Sequence, residues 1–175
     1  KMVKKFKIKL FADGADLLSI KKLNKNNLIK GFTTNPSLMR KAGVNDYRKF
    51  AKSVLKIVKK KPVSFEVFSD DINEMEEQAR EISSWGNNSF VKIPITNTKA
   101  LKTNNLIKKL SKAGIKCNIT AVLTIDQVKE VFSSVDKNTK TILSICSGRI
   151  DDTGRDPVKF FKEAENEFGY NPKLI

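Results

Sequence analysis

Short apolar runs alternate with longer helical patterns along the whole chain, and this alternation restricts the fold more than any other feature. The runs have the length of strands, and the segments between them have the length of helices. Such repetition is typical of parallel strands covered by helices, either closed into a barrel or open as a doubly wound sheet. The predicted strands are residues 6–13, 30–35, 63–69, 89–96, 116–123 and 141–150.

Helix signals between the predicted strands support this prediction of alternating strands and helices. Asn97 is predicted to cap a helix over residues 98–112, and Gly114 stands where that helix should end. Asp156 before Pro157 predicts the start of another helix, because proline is tolerated in the first helical position. The clearest apolar stripe at helical spacing consists of Tyr47, Phe50, Ala51, Val54, Leu55 and Val58.

Polar residues inside the predicted strands decide between the barrel and the open sheet. Strand alternation places Lys92 between Phe90 and Pro94 on one strand face, and Glu66 and Asn118 lie within other strands. An open sheet covered on both faces has no place for such side chains, whereas a barrel gathers them at the C-terminal ends of its strands. No glycine-rich phosphate loop follows the first strand, which weighs against a dinucleotide fold. We therefore predict a closed α/β barrel of parallel strands.

The composition excludes some classes of function. The net charge is +15, and lysines are scattered over every predicted helix and turn without a recognisable nucleic-acid-binding motif. This pattern favours a lysine-rich solvated surface over the alternative of nucleic-acid binding. The chain has no histidine, so acid–base chemistry must use carboxylates, lysine, hydroxyls or cysteine.

Localisation follows from the cysteines and the apolar runs. Cys117 and Cys146 lie in apolar segments, and we expect both to be reduced and buried in an intracellular, cytoplasmic protein. The apolar runs are too short to cross a membrane, and the basic start lacks the features of a signal peptide.

Lys92 is the strongest candidate for catalysis. Lysine is disfavoured inside an apolar strand unless it is paired or used. The segment SFVKIPIT would desolvate the amine and favour its neutral, nucleophilic form, which attacks carbonyls to give imines. The alternative is a lysine that extends from an edge strand to water.

Other strand-end residues extend this hypothesis, although each has a structural alternative. Asp13 and Glu66 are candidates for the acid and base roles, or for salt-bridge partners of Lys92 or Arg149. Arg149 could bind a phosphate or pair with a neighbouring aspartate. The segment TTNPS (33–37) could line the site or simply join a strand to a helix.

The chain resembles the transaldolase family, in particular its short members and the related fructose-6-phosphate aldolases. The matching segments occur in the family's order and cover essentially the whole chain. They are LFADGAD (10–16), GFTTNPSLM (31–39), SFEVFS (64–69), FVKIPIT (90–96), GIKCNITAVLT (114–124) and SGRIDD (147–152).

This resemblance implies a (β/α)8 barrel, a reaction without metal or cofactor, and a catalytic role for four residues. Lys92 would form the imine with a ketose carbonyl. Asp13 would move the proton of the C4 hydroxyl as the C3–C4 bond breaks. Glu66 would act through a water molecule held by Thr120 in forming and dehydrating the carbinolamine.

The resemblance also implies a set of substrate-binding residues. Asn35 and Asn118 would bind hydroxyls of the retained three-carbon unit, with Ser144 beside them and Thr33 lining the site. Arg149 would bind the substrate phosphate.

The chain departs from the family pattern at several positions. Asp13 is followed by Gly14 where the family usually has threonine, and Ile145 and Cys146 replace a proline and an aromatic residue. The final residues NPKLI resemble the start of a seventh strand. We therefore expect one domain over residues 1–175 that covers about the first six to seven strand–helix units and lacks its C-terminal units.

The expected function is transaldolase transfer of dihydroxyacetone between sugar phosphates in the pentose phosphate pathway. Glu66 favours this branch, because the aldolases carry glutamine at the matching position. Aldolase cleavage and non-catalytic sugar-phosphate binding are the alternatives. We expect small sugar phosphates as partners, no nucleic acid or membrane, and possible homo-oligomers.

Overall fold

The computed structural model describes residues 9–168, which form alternating strands and helices. The strands are β1 (Leu10–Asp13), β2 (Ile29–Thr33), β3 (Val63–Glu66), β4 (Ser89–Pro94), β5 (Cys117–Thr120) and β6 (Thr141–Leu143). The helices are α1 (Leu17–Asn24), α2 (Pro36–Lys41), α3 (Tyr47–Ile57), α4 (Ile72–Ser84), α5 (Asn104–Lys112), α6 (Ile125–Ser134), α7 (Ser147–Asp151) and α8 (Pro157–Phe168).

The chain divides into two compact units. Of the described residues, 9–66 and 82–90 form the first unit and 67–81 and 91–168 form the second, so that α4 and β4 contribute to both. In the first unit β1, β2 and β3 pair in parallel in chain order, and in the second β4, β5 and β6 do the same. Parallel pairing with a helix after each strand confirms the predicted α/β class.

The core of the first unit lies between its strands and the helices that cover them. The predicted apolar stripe of α3 is confirmed, with Phe50, Ala51 and Val54 buried, and α3 packs against α1. Asp46 caps α3 by accepting a hydrogen bond from Lys49 N at 2.9 Å. Burial of this stripe, rather than helix propensity, holds a helix of three turns in place.

In the second unit the apolar faces of α5 and α6 meet each other. Ile107 and Leu110 of α5 and Val131 of α6 are fully buried. The predicted end of α5 at Gly114 is confirmed, because this residue has φ +77°, a conformation that favours glycine. The predicted start of α8 is also confirmed, and Asp156 accepts a hydrogen bond from Val158 N at 2.8 Å.

Two local predictions are wrong. Asn97 does not cap a helix over 98–112, because its side-chain oxygen accepts from Lys99 N and Leu101 N and closes a turn before α5 begins at Asn104. The strand predicted over 141–150 ends at Leu143, and residues 147–151 form the short helix α7.

Smaller differences concern strand ends and one cysteine. Most predicted strands run a few residues beyond their observed C-terminal ends. Cys117 is buried as predicted, and burial raises the pKa of its thiol to about 12. Cys146 is exposed, contrary to the prediction, because it caps α7 instead of lying in a strand. Residues 6–8 of the first predicted strand and residues 171–175 of the suggested seventh lie outside the described residues.

Within residues 9–168, the helices are all too short or too polar to cross a membrane.

Candidate functional site

The first unit holds a hydrogen-bonded cluster at the C-terminal ends of β1 and β2. Asp13 ends β1 and lies in register with Thr33, which ends β2. Thr33 Oγ1 donates to Asp13 Oδ1 at 2.9 Å, and Asn35 Nδ2 donates to Asp13 Oδ2 at 3.4 Å. Three of the predicted site residues are therefore in direct contact, and both oxygens of the exposed carboxylate are oriented by a donor.

Asn35 has two functions in this cluster. Its amide oxygen accepts from Leu38 N at 2.9 Å and caps α2, while its amide nitrogen reaches Asp13. Pro36 follows as the first residue of the helix, where the missing N–H has no consequence. The cap fixes one end of the Asn35 side chain, while the other end contacts Asp13.

Glu66 ends β3 in the same unit and is half-buried. Ser64, two residues earlier on the same strand face, is fully buried, and the intervening Phe65 is buried on the opposite face. The main-chain oxygen of Glu66 accepts a hydrogen bond from the hydroxyl of Tyr47 at 3.0 Å. No sequence signal connects Tyr47 with the site, because its position in the apolar stripe of α3 explains the residue fully.

In the second unit, Lys92 lies in a strand whose alternate residues are buried. Val91 and Ile93 are fully buried, whereas Lys92 is half-buried on the other face of β4. Lys92 is in register with Asn118, and Pro94 is in register with Thr120. The predicted face alternation is confirmed, and it aligns the amine side by side with polar residues of β5.

Asn118 and Ser144 form the second direct contact between predicted site residues. Asn118 is fully buried, and Ser144 Oγ donates to its side-chain oxygen at 2.7 Å. Ser144 directly follows β6, where its main-chain N–H donates to Ile119 O at 2.8 Å. Ser144 thus orients the Asn118 amide from the neighbouring strand end.

The backbone turns sharply after Thr120. Ala121 has φ +60°, in the left-handed region that costs an alanine roughly 1–2 kcal/mol. The Thr120 main-chain oxygen accepts from Ile95 N at 2.9 Å, which ties the end of β5 to β4. Backbone strain of this kind is common beside functional residues.

Arg149 lies on α7 and is exposed. Within the described part of the chain it forms no ion pair with Asp151 or Asp152, which was the structural alternative for this residue. Residues 9–168 contain no group of three or more histidine, cysteine or acidic side chains that could hold a metal ion.

Comparison with known proteins agrees with the resemblance seen in the sequence. Residues 10–171 match the transaldolase/fructose-6-phosphate aldolase family. The chain is 32% identical over 171 residues to a probable transaldolase of Dehalococcoides mccartyi. The aligned region covers 96% of this chain and 76% of that protein. It is 33% identical over 171 residues to a probable transaldolase of Streptococcus equi subsp. zooepidemicus, covering 96% and 75%. A probable transaldolase of Streptococcus pyogenes is 35% identical over 156 residues, covering 89% and 68%. These matches confirm the predicted fold class, a (β/α)8 barrel, to which the described residues contribute six strands. The chain belongs to the transaldolase/fructose-6-phosphate aldolase family.

Proposed function

We propose that this protein is a transaldolase that transfers a dihydroxyacetone unit from a ketose phosphate to an aldose phosphate through an imine on Lys92. One observation carries the proposal: Lys92 is a half-buried lysine in register with Asn118, on the strand face that also bears Thr120. The relatives named as probable transaldolases support the same class of reaction.

The chemistry begins with attack of the neutral Lys92 amine on the ketose carbonyl, as in fructose 6-phosphate or sedoheptulose 7-phosphate. The resulting carbinolamine loses water to give a protonated imine, which withdraws electrons from the neighbouring carbons. The C3–C4 bond then breaks, the aldose phosphate leaves, and an enamine of dihydroxyacetone remains on Lys92. This enamine attacks the carbonyl of the acceptor, and hydrolysis releases the new ketose phosphate.

Asp13 is the proposed base for the C4 hydroxyl. Its carboxylate accepts hydrogen bonds from Thr33 and Asn35, which fix its orientation while leaving it accessible. Fixed orientation of the catalytic group is one of the main sources of rate in such proton transfers. Glu66 is assigned the proton transfers of carbinolamine formation and dehydration, through a water molecule held by Thr120.

Substrate binding is assigned to polar groups at the strand ends. Asn118, oriented by Ser144, binds a hydroxyl of the retained three-carbon unit, and Asn35 binds another. Thr33 lines the site beside Asp13. Arg149, exposed and without an aspartate partner among residues 9–168, binds the substrate phosphate.

The setting proposed for this reaction is the pentose phosphate pathway of the cytoplasm. Small sugar phosphates are the partners, no nucleic acid, membrane or cofactor is required, and homo-oligomers are possible.

Acceptor dependence tests the proposal. Purified protein is incubated with fructose 6-phosphate, with and without erythrose 4-phosphate, and the products are followed by mass spectrometry. A transaldolase forms sedoheptulose 7-phosphate only when the acceptor is present. Release of free dihydroxyacetone at the same rate in both samples would instead identify an aldolase.

A pair of lysine variants separates catalysis from binding. Lys92→Ala should abolish turnover, and Lys116→Ala, which removes another half-buried lysine directly before β5, should leave it unchanged. Turnover that survives in Lys92→Ala would contradict the proposed imine. Sugar-phosphate binding without turnover in the unsubstituted protein would indicate a non-catalytic homologue.

A further inference from the structure

Tyr47 connects α3 to the end of β3. It is the first residue of α3, and its hydroxyl donates to the main-chain oxygen of Glu66 at 3.0 Å. Glu66 is the last residue of the strand, so this bond holds the backbone from which the Glu66 side chain extends. A hydroxyl 19 positions away in sequence therefore restrains the strand end.

The Tyr47 ring is fixed by two other aromatic residues of the first unit. Its centroid lies 5.1 Å from that of Trp85 and 6.1 Å from that of Phe65, and both contacts are edge-to-face. Trp85 and Phe65 contact each other in the same way at 5.5 Å. Three rings in mutual edge-to-face contact leave the tyrosine little freedom to rotate away from Glu66.

The side chain of Thr34, at the end of the neighbouring strand, lies beside the Tyr47 hydroxyl, and its own hydroxyl donates to Ser64 O at 3.3 Å. Thr34 is fully buried, and its main-chain N–H donates to Ser64 O at 3.1 Å. In sequence, Thr34 stands between the two residues that orient the carboxylate of Asp13. Tyr47 thus bonds to the end of β3 and lies beside the residue that follows β2.

Tyr47 acts as a donor and not as an acid or base. Burial raises the pKa of Tyr47 well above its usual range, and the charge of Glu66 raises it further, while the neighbouring Thr34 side chain lowers it. The raised pKa keeps the hydroxyl protonated, so that it can donate to the main-chain oxygen of Glu66.

We propose that Tyr47 is a positioning residue that sets the location of the Glu66 carboxylate for imine formation. This inference rests on the proposed function, because that function assigns the proton transfers of imine formation to Glu66. Removing the hydroxyl while keeping the ring should let the end of β3 move without emptying the aromatic cluster. Displacement of a catalytic group by a fraction of an ångström is enough to slow its reaction.

The test is the rate of borohydride trapping with fructose 6-phosphate, measured for Tyr47→Phe alone and in combination with Glu66→Gln. We expect Tyr47→Phe to slow trapping about tenfold with KM unchanged. In the Glu66→Gln background, Tyr47→Phe should have little further effect, because the two residues act through the same step. A purely structural role would give the same loss in both backgrounds.

A matched control removes another hydroxyl-to-main-chain hydrogen bond, just before the N-terminal end of β6. Thr139→Val deletes a buried hydroxyl that donates to Ser111 O at 2.7 Å, and it should lower stability without changing the trapping rate. Equal trapping rates in Tyr47→Phe and the unsubstituted protein would overturn the inference alone. An unsubstituted protein that forms no adduct on Lys92 would contradict the proposed function itself.

Discussion

Two alanines hold a backbone conformation that only glycine adopts at no cost, and they give a sharp test of strain beside the site. Ala121 follows Thr120 at φ +60°, and Ala100 has φ +59° in the turn before α5. Both side chains are exposed, so replacing either methyl group creates no cavity. Ala121→Gly and Ala100→Gly therefore differ only in their distance along the chain from a proposed catalytic residue.

The expected change in stability follows from two opposing terms. The left-handed conformation costs an alanine roughly 1–2 kcal/mol, which glycine relieves. Glycine also loses more conformational freedom on folding, which cancels about 0.4–1 kcal/mol of that gain. Each variant should therefore raise the free energy of unfolding by about 0.5–1 kcal/mol, and Tm by about 1–4 °C for a chain of this size.

Urea unfolding followed by tryptophan fluorescence measures the change in the free energy of unfolding. The dependence of this free energy on urea concentration should stay the same if only stability is affected. We expect both variants to be more stable and only Ala121→Gly to lose turnover, because the backbone after Thr120 is then free to move. A loss of stability in Ala121→Gly would refute the assigned strain. Equal activity in the two variants would show that this strain has no part in positioning Thr120.

Two further predictions concern packing and pH. Gly31→Ala should lower the free energy of unfolding by about 1–3 kcal/mol, because the new Cβ would overlap the Phe11 ring on the adjacent strand. Thermal melting should show that adding Phe11→Leu to this variant restores part of the lost stability. Hydrogen bonds from the Thr98 hydroxyl and N–H hold the pKa of Asp70 below its usual range. The stability that this carboxylate contributes is present above its ordinary pKa and is lost as the pH falls through the lowered one. Melting curves of Asp70→Asn should therefore differ from those of the unsubstituted protein at neutral pH and converge with them in acid.

The polar residues of the candidate site could be identified from the sequence because they interrupt apolar strands. A lysine between Val91 and Ile93 must lie on the opposite strand face from these two residues, and the structure confirms that it does. The contact between Asp13 and Thr33 follows from the parallel register of two adjacent strand ends. Strand alternation and parallel pairing are thus enough to predict which side chains share a face.

The incorrect predictions have a common physical origin. An asparagine that caps a helix and one that closes a turn both accept a hydrogen bond from an N–H a few residues onward, so Asn97 could not be assigned from its neighbours. Ile145 and Cys146 extended an apolar run, and short runs of this kind occur in strands and in helix starts alike.

Tyr47 was missed for a different reason. Its bond to the Glu66 main-chain oxygen depends on the packing of α3 against β3. Every residue type carries a main-chain oxygen, so this acceptor cannot be recognised from the sequence. Tyr47 was correctly predicted to lie in the apolar stripe of α3, but it is the hydroxyl of this residue that bonds to the end of β3. Contacts of this type are found only once the tertiary arrangement is known.

The most direct test of the account is the mass of the protein after reaction with fructose 6-phosphate and borohydride. Reduction of the imine should add one dihydroxyacetone-derived group, and peptide mapping should locate it on Lys92. Lys92→Ala should acquire no such group, while its far-ultraviolet circular dichroism remains that of the folded protein. An unmodified protein, or a group attached to any other lysine, would contradict the assignment of Lys92 as the Schiff-base residue.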